Sequence, residues 1–387
     1  MTKHCFNIII LVLSLQVLAC TSDTGKPKPS TITNGQISYN VDTLRIHADS
    51  KFANYFEIFS AYQYKHKPKM MVYDAYNHSL VDIDLANTEV TDIYKLELNG
   101  ENGVSTIEGL YVHKSDSIFV YENGKVKILN RGLKVIAKYD VAAVPNGFGF
   151  LYTNYKFKLR YNPLHKCVLL NNSFRGNRGM AIKNPAVASL DIVTGKLELL
   201  PIMYSDYMIA NDGIFGYQFG INFDCTSGDR VYYTFPVQSD VFVYDFTSGQ
   251  VQEYQADSQY TTNEVEPLGN LGNRDAGRVN FIESPAFYGI MKDKMSGLHY
   301  RIHREGKPFN ISEDEFNAIT DVHFYITVLD QNMNYIVEIE LPKNVYAQYT
   351  WFYLDGSLYL SATNNKYENL KEDVLELHKF TFKVNHT

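Results

Sequence analysis

The chain of 387 residues holds one tryptophan, Trp351, and four cysteines, and it lacks most of the features that announce a chemistry. No C-x-x-C pair occurs, so neither a zinc knuckle nor a thioredoxin-type redox centre is encoded. There is no block of Lys or Arg, and the formal charge is −7, which leaves no electrostatic footprint for nucleic acid. The sequence has no G-x-S-x-G, no S-x-x-K with K-T-G, no Walker A loop, no G-x-G-x-x-G and no H-E-x-x-H. The nucleophile, nucleotide and zinc-protease machinery that those patterns build is therefore absent in its usual local form. Alanine-rich stretches with helical periodicity are scarce. What is abundant is aromatic: 30 Tyr and 23 Phe, side chains that favour strands.

The first apolar run, Phe6 to Ala19, is shorter than the ~20 residues a membrane span needs, and no later stretch approaches that length. It reads as the apolar region of a signal peptide. It ends in Val17-Leu18-Ala19-Cys20, a small residue followed at once by cysteine. That ending resembles the lipobox of bacterial lipoproteins, in which the cysteine thiol is diacylated and becomes the new N-terminus. The resemblance implies a lipid attached at Cys20 and a membrane anchor strengthened by each buried CH₂. Thr21 to Thr33 is rich in Ser, Thr, Pro, Gly and Lys without periodicity, as expected of a tether. The expected organisation is a signal peptide over 1–19, the lipidated cysteine and tether over 20–34, and one domain over 35–387. Of the four cysteines only Cys167 and Cys225 fall in that domain. They are able to pair in an oxidising compartment only if neighbouring units bring them together; two free buried thiols is the favoured reading.

From residue 36 the pattern is short alternating runs rich in Tyr, Val, Ile and Phe, separated by turn residues. KMMVYDAY, SLVDIDL and EVTDIYKL, within 69–96, form a three-strand meander. The unit returns at 109–141, 166–204, 230–256, 297–342 and 349–384. Two of the turns share a spelling, Asp191-Ile-Val-Thr-Gly195 and Asp245-Phe-Thr-Ser-Gly249, with Asp placed to cap and Gly to close the hairpin. Repeated small meanders of this size predict an all-β fold, a β-propeller of six blades, with QISYNVDTLRI (36–46) closing the ring. The stretch 257–285 reads either as a long surface loop or as a degenerate blade, which would make seven. Ser312 to Ala318, with acidic residues after Ser312, predicts a short helix on a loop.

The segments GLHYRIHRE (297–305), VLDQNMNYIVEIELP (328–342) and DGSLYLSATNN (355–365) carry a family resemblance. With the lipobox and the meanders, the chain resembles envelope lipoproteins of Bacteroides-type bacteria with a six-bladed, TolB-like propeller, the domain-of-unknown-function group 4221. The resemblance implies a fold and a compartment, the envelope of a Gram-negative cell with the protein on its outer membrane, facing the periplasm or the outside. It implies no reaction.

His299 and His303, four residues apart, share one strand face and read as half-exposed histidines rather than as metal ligands. Asp330 to Asn334 begins like a calcium loop but has Tyr335 and Leu341 where Gly and a carboxylate belong, so it reads as a hairpin turn. Two loops gather Arg, Asn and Gly in an acidic chain: Asn171 to Gly179, with Arg175 and Arg178, and Asn273 to Arg278, with Arg274 and Arg278. Arginine suits bidentate capture of carboxylate or sulfate, so these four residues are the candidate ligand contacts. The function expected is a membrane-anchored binding module, monomeric, for a partner protein, glycan or peptide, with no cofactor and no resident metal. Two alternatives stand beside it: a metal-dependent hydrolase resembling lactonases with its site in the funnel, and an envelope scaffold or sensor without a small ligand.

Overall fold

The computed structural model describes residues 37–384, apart from 49–51, 53–55, 115, 145–149, 155, 174–177, 226–227, 270–273 and 313–314. Strand β1 (Ile37–His47) opens it, and blade I follows as β2 (Phe59–Tyr64), β3 (Lys67–Asp74), β4 (Ser79–Asp84) and β5 (Glu89–Lys95). Blade II comprises β6 (Gly109–Lys114), β7 (Ser117–Glu122), β8 (Lys125–Leu129) and β9 (Val135–Asp140). In blade III, β10 (Phe150–Tyr152) and β11 (Arg160–Asn162) share the inner edge of β12 (Cys167–Ser173), followed by α1 (Arg178–Ala181), β13 (Val187–Asp191) and β14 (Leu197–Leu199). Helix α2 (Asp206–Ala210) leads to blade IV: β15 (Asn222–Asp224), β16 (Arg230–Thr234), β17 (Val241–Asp245) and β18 (Val251–Tyr254). Helix α3 (Arg274–Glu283) precedes blade V: β19 (Ala286–Lys292), β20 (His299–Arg304), β21 (Phe324–Leu329) and β22 (Tyr335–Glu340). Blade VI holds β23 (Trp351–Leu354), β24 (Ser357–Ser361) and β25 (Val374–Val384), with β1 as its outermost strand.

Each blade is an antiparallel meander, and the first strand of each lines the centre of the ring. Burial follows from that position. The second and third strands lie between neighbouring blades on both faces, so β3 ends in six buried residues and β21 is buried throughout. The fourth strands, at the rim, alternate exposed and half-buried residues along β5 and β9. The apolar core is accordingly divided into six clusters, one at each blade–blade contact. The ring closes where β1 pairs with β25 over eleven residues, from Ile37 opposite Val384 to His47 opposite Val374. This is the closure that the pattern at 36–46 predicts, and the blade count is six.

Topology sorts the connections onto two faces. Links within a blade between first and second strands, and between third and fourth, lie on one face and are tight. Asp191 accepts the Val193 and Thr194 amides with Gly195 at φ 74°, and Asp245 accepts those of Thr247 and Ser248 with Gly249 at φ 68°. A third copy of the turn, Asp293 to Gly297 with φ 77° at the glycine, follows a first strand rather than a third. The turn at Asp330 is likewise a hairpin, its carboxylate accepting the Asn332 and Asn334 amides. The other face carries the long connections, including 200–221, 255–285 and 305–323.

Three expectations need correction. The stretch 257–285 is no seventh blade: it is an extended segment followed by α3. Buried Arg304 holds the end of that helix, donating to the carbonyls of Phe281 and Ser284. No helix is described across 312–318, of which 313–314 lie outside the described residues; Asn310 bridges Phe316 and the rings of Phe309 and Phe316 stack at 4.9 Å. His299 and His303 are completely buried rather than half-exposed, because β20 is the second strand of its blade and is covered on both faces. Cys167 and Cys225 are both buried and free.

Candidate functional site

The six first strands surround a central channel. Its walls bring together Phe59 to Ala61 from β2, Tyr111 from β6, Lys158 and Arg160 at β11, Asp224 from β15, Gly289 to Lys292 from β19 and Trp351 to Tyr353 from β23. Small cavities of about 40 and 90 Å³ lie along it and share Lys158, Arg160, Met291 and Trp351. The 90 Å³ cavity in turn shares Ala61, Tyr111, Lys292 and Tyr353 with a wider mouth of about 380 Å³ on the tight-turn face. That mouth also presents Tyr62, His113, Lys294 and Met295.

For an acidic protein the channel is notably basic. The Lys158 ammonium donates to the Trp351 carbonyl at 3.0 Å and lies 4.0 Å from the Phe59 ring centre. Burial, reinforced by the like charge of Arg160, holds its pKa well below the usual lysine range. Arg160 approaches Asp224 at 3.7 Å, an ion pair too long to be a hydrogen bond. Lys292 donates to the Tyr232 hydroxyl at 3.0 Å. Burial lowers the pKa of His113 at the mouth, so its ring is neutral near pH 7. Toward the long-connection face, Lys156 lies 5.6 Å from the ring centres of both Phe281 and Tyr349, placing α3 at the opposite opening.

A second cavity, of about 750 Å³, lies on the long-connection face between blade IV and the segment leading to α3. Asp240, Glu253, Asp257, Glu264, Glu266 and Glu283 line it. Burial first, and then neighbouring carboxylates, raise the pKa of Asp240 and Glu253. This acidic cleft shares no lining residue with the channel cavities.

Of the arginines picked out from sequence, Arg178, Arg274 and Arg278 belong to connections on the long-connection face, one between the second and third strands of blade III and the other between two blades. Arg175 lies outside the described residues, as does Cys20. Arg178 and Arg274 open α1 and α3, and their side chains are likewise outside the description. Arg278 is exposed, with its guanidinium 5.4 Å from the Phe309 ring centre. Arg278, the one whose side chain is described, does not line the channel cavities. The channel residues carried no local signal: Lys158, Asp224, Lys292 and Trp351 are spread over nearly 200 positions and meet only when the ring closes.

Among the described residues no three His, Cys, Asp or Glu side chains form a group able to hold a metal ion. The blade V histidines belong to a different arrangement. Arg301, fully buried, donates to the Ser239 carbonyl of blade IV and, at 3.2 Å, to the Thr327 hydroxyl. Thr327 donates to Glu338 at 2.9 Å, and Glu338 also accepts from the Gln259 amide at 2.7 Å and the Ser258 hydroxyl at 3.2 Å. His303 lies 3.1 Å from Glu338, stacked between Phe287 and Tyr325. Burial drives its pKa down to about 4, so Glu338 is balanced by Arg301 and not by an imidazolium. This polar network ties blade IV to blade V where the apolar cluster between blades is the smallest of the six.

Ring, closure and blade order define the class: a six-bladed β-propeller. The family model "Domain of unknown function (DUF4221)" matches residues 34–340, and the chain belongs to that family. A solved structure of a DUF4221 member from Bacteroides vulgatus superposes with a TM-score of 0.79 at 19% identity, covering 90% of this chain and 99% of that one. A candidate exported protein from Bacteroides fragilis superposes with a TM-score of 0.58 at 10% identity, covering 89% and 95%. No curated protein matches the sequence. At these identities the structural likenesses speak for the fold.

Proposed function

We propose that this protein is a lipid-anchored propeller of the Gram-negative cell envelope that acts as a binding module, with its ligand seated in the central channel. One observation carries the reading: an aromatic and basic channel that widens to a mouth of about 380 Å³, in a protein of net charge −7. Concave sites with a few placed polar groups and aromatic walls are where propellers and other rings gather ligands. Asp224, the carboxylate facing the cavities at mid-channel, is engaged by Arg160, which supports a binder over a hydrolase working through paired acids. The ending Leu18-Ala19-Cys20 supports the anchor, and the exported character ascribed to the Bacteroides fragilis neighbour agrees with it.

Two measurements test this. Cys20→Ala should move the protein from the membrane to the soluble fraction, and continued retention would overturn the anchor. Glycan and peptide arrays probed with the full chain and with Ala61→Trp, which fills the channel where cavity and mouth join, should show capture only by the former. Equal capture by both would remove the channel as the site.

A further inference from the structure

The channel singles out a chemical class of ligand. This inference rests on the channel being the binding site. Lys158 is a buried amine enclosed by Phe59, the Trp351 carbonyl and the Arg160 guanidinium. Burial disfavours its charged form, and an anion bound beside it would favour that form again. Beside it, the Nε of Arg160 is buried and makes no hydrogen bond, facing the Asp224 carboxylate at 3.7 Å. The two residues line the same cavity of about 90 Å³, together with Lys292 and Asp224, so three basic side chains and one carboxylate face one small space. That geometry suits an oxyanion, which accepts from an ammonium and a guanidinium at once.

Size and surroundings narrow the choice. The cavity takes a single acidic group, and whatever carries that group extends into the mouth of about 380 Å³ among Tyr111, Tyr353 and His113. Flat rings with a polar edge are the usual partners of a sugar face. We infer that the channel binds an acidic saccharide, carboxylated or sulfated, inserted acid-first from the tight-turn face so that its oxyanion lies between Lys158 and Arg160.

The only tryptophan of the chain reports on this site, because its carbonyl accepts the Lys158 hydrogen bond. Trp351 fluorescence of the full chain in detergent is titrated with sodium glucuronate, sodium sulfate and glucose, with NaCl holding ionic strength constant. The expected result is saturable binding of glucuronate, weaker saturable binding of sulfate, and at least about tenfold weaker binding of glucose. Lys158→Met and Arg160→Gln should each weaken glucuronate about tenfold or more while far-UV circular dichroism is unchanged. Should Lys158→Met misfold, Arg160→Gln alone carries the test. Glucose binding as well as glucuronate, or a Lys158→Met titration identical to the parent, overturns the proposal. Sulfate matching glucuronate overturns its saccharide part. Neutral glycan or peptide capture that Ala61→Trp abolishes, without any glucuronate response, would refute the anion site and leave the binding-module reading standing.

Discussion

The blade IV–V contact offers the sharpest test of how this ring is held. Glu338 accepts from Thr327, Gln259, Ser258 and the histidine edge, and its charge offsets Arg301, which is buried with it. Glu338→Gln keeps the shape but removes the charge and turns one accepting oxygen into a donor facing donors. Arg301 then loses the carboxylate that acts on it most strongly and keeps only the weaker influence of Asp240 and Asp257; breaking one partner of a buried pair costs about 3–5 kcal/mol. We take ~3 kcal/mol, since Gln retains one acceptor. For a domain of this size that corresponds to a fall in Tm of about 4 °C. Urea or thermal unfolding followed by circular dichroism measures it. The pair Arg301→Met with Glu338→Leu removes both charges and should recover most of the loss. A Glu338→Gln cost below ~1 kcal/mol, or a double variant worse than the single, would show that the network does not balance charge as argued.

Two further outcomes follow from the same burial. His299 and His303 have pKa values pushed down to about 4 by burial, whereas an unfolded histidine titrates near ~6.5. The unfolded chain therefore binds protons that the folded one refuses, and stability falls as pH drops from ~6.5 toward 4, by up to roughly 3 kcal/mol per histidine. His299→Leu, which removes an imidazole whose Nε2 has no partner, should flatten that slope in urea midpoints taken between pH 7 and 4.5; an unchanged slope refutes the assignment. Burial also raises the pKa of Cys167 and Cys225, so two more thiols should react with a disulfide reagent in denaturant than in buffer. Reaction of both in the native protein would contradict their placement in the core.

What the residue order determined on its own is local. Alternation of apolar and polar residues set the strands, and Asp and Gly at fixed offsets set turns such as Asp191–Gly195 and Asp245–Gly249. Recurrence of the meander set the six-fold repeat, and QISYNVDTLRI was legible as a closing strand because it alternates without a partner nearby. These are short-range signals, since period and turn chemistry act within a few residues. The buried state of His299 and His303 was not legible, because a strand covered on both faces and a rim strand can be spelled with the same polar residues. Nor was the helix Arg274–Glu283, which is secured by Arg304 from the next blade. The channel is wholly a product of tertiary structure. Lys158, Arg160, Asp224, Lys292 and Trp351 lie on four different blades, and only ring closure brings their inward faces within reach of one another. Local pattern builds each blade; the site exists because the ring makes distant first strands neighbours.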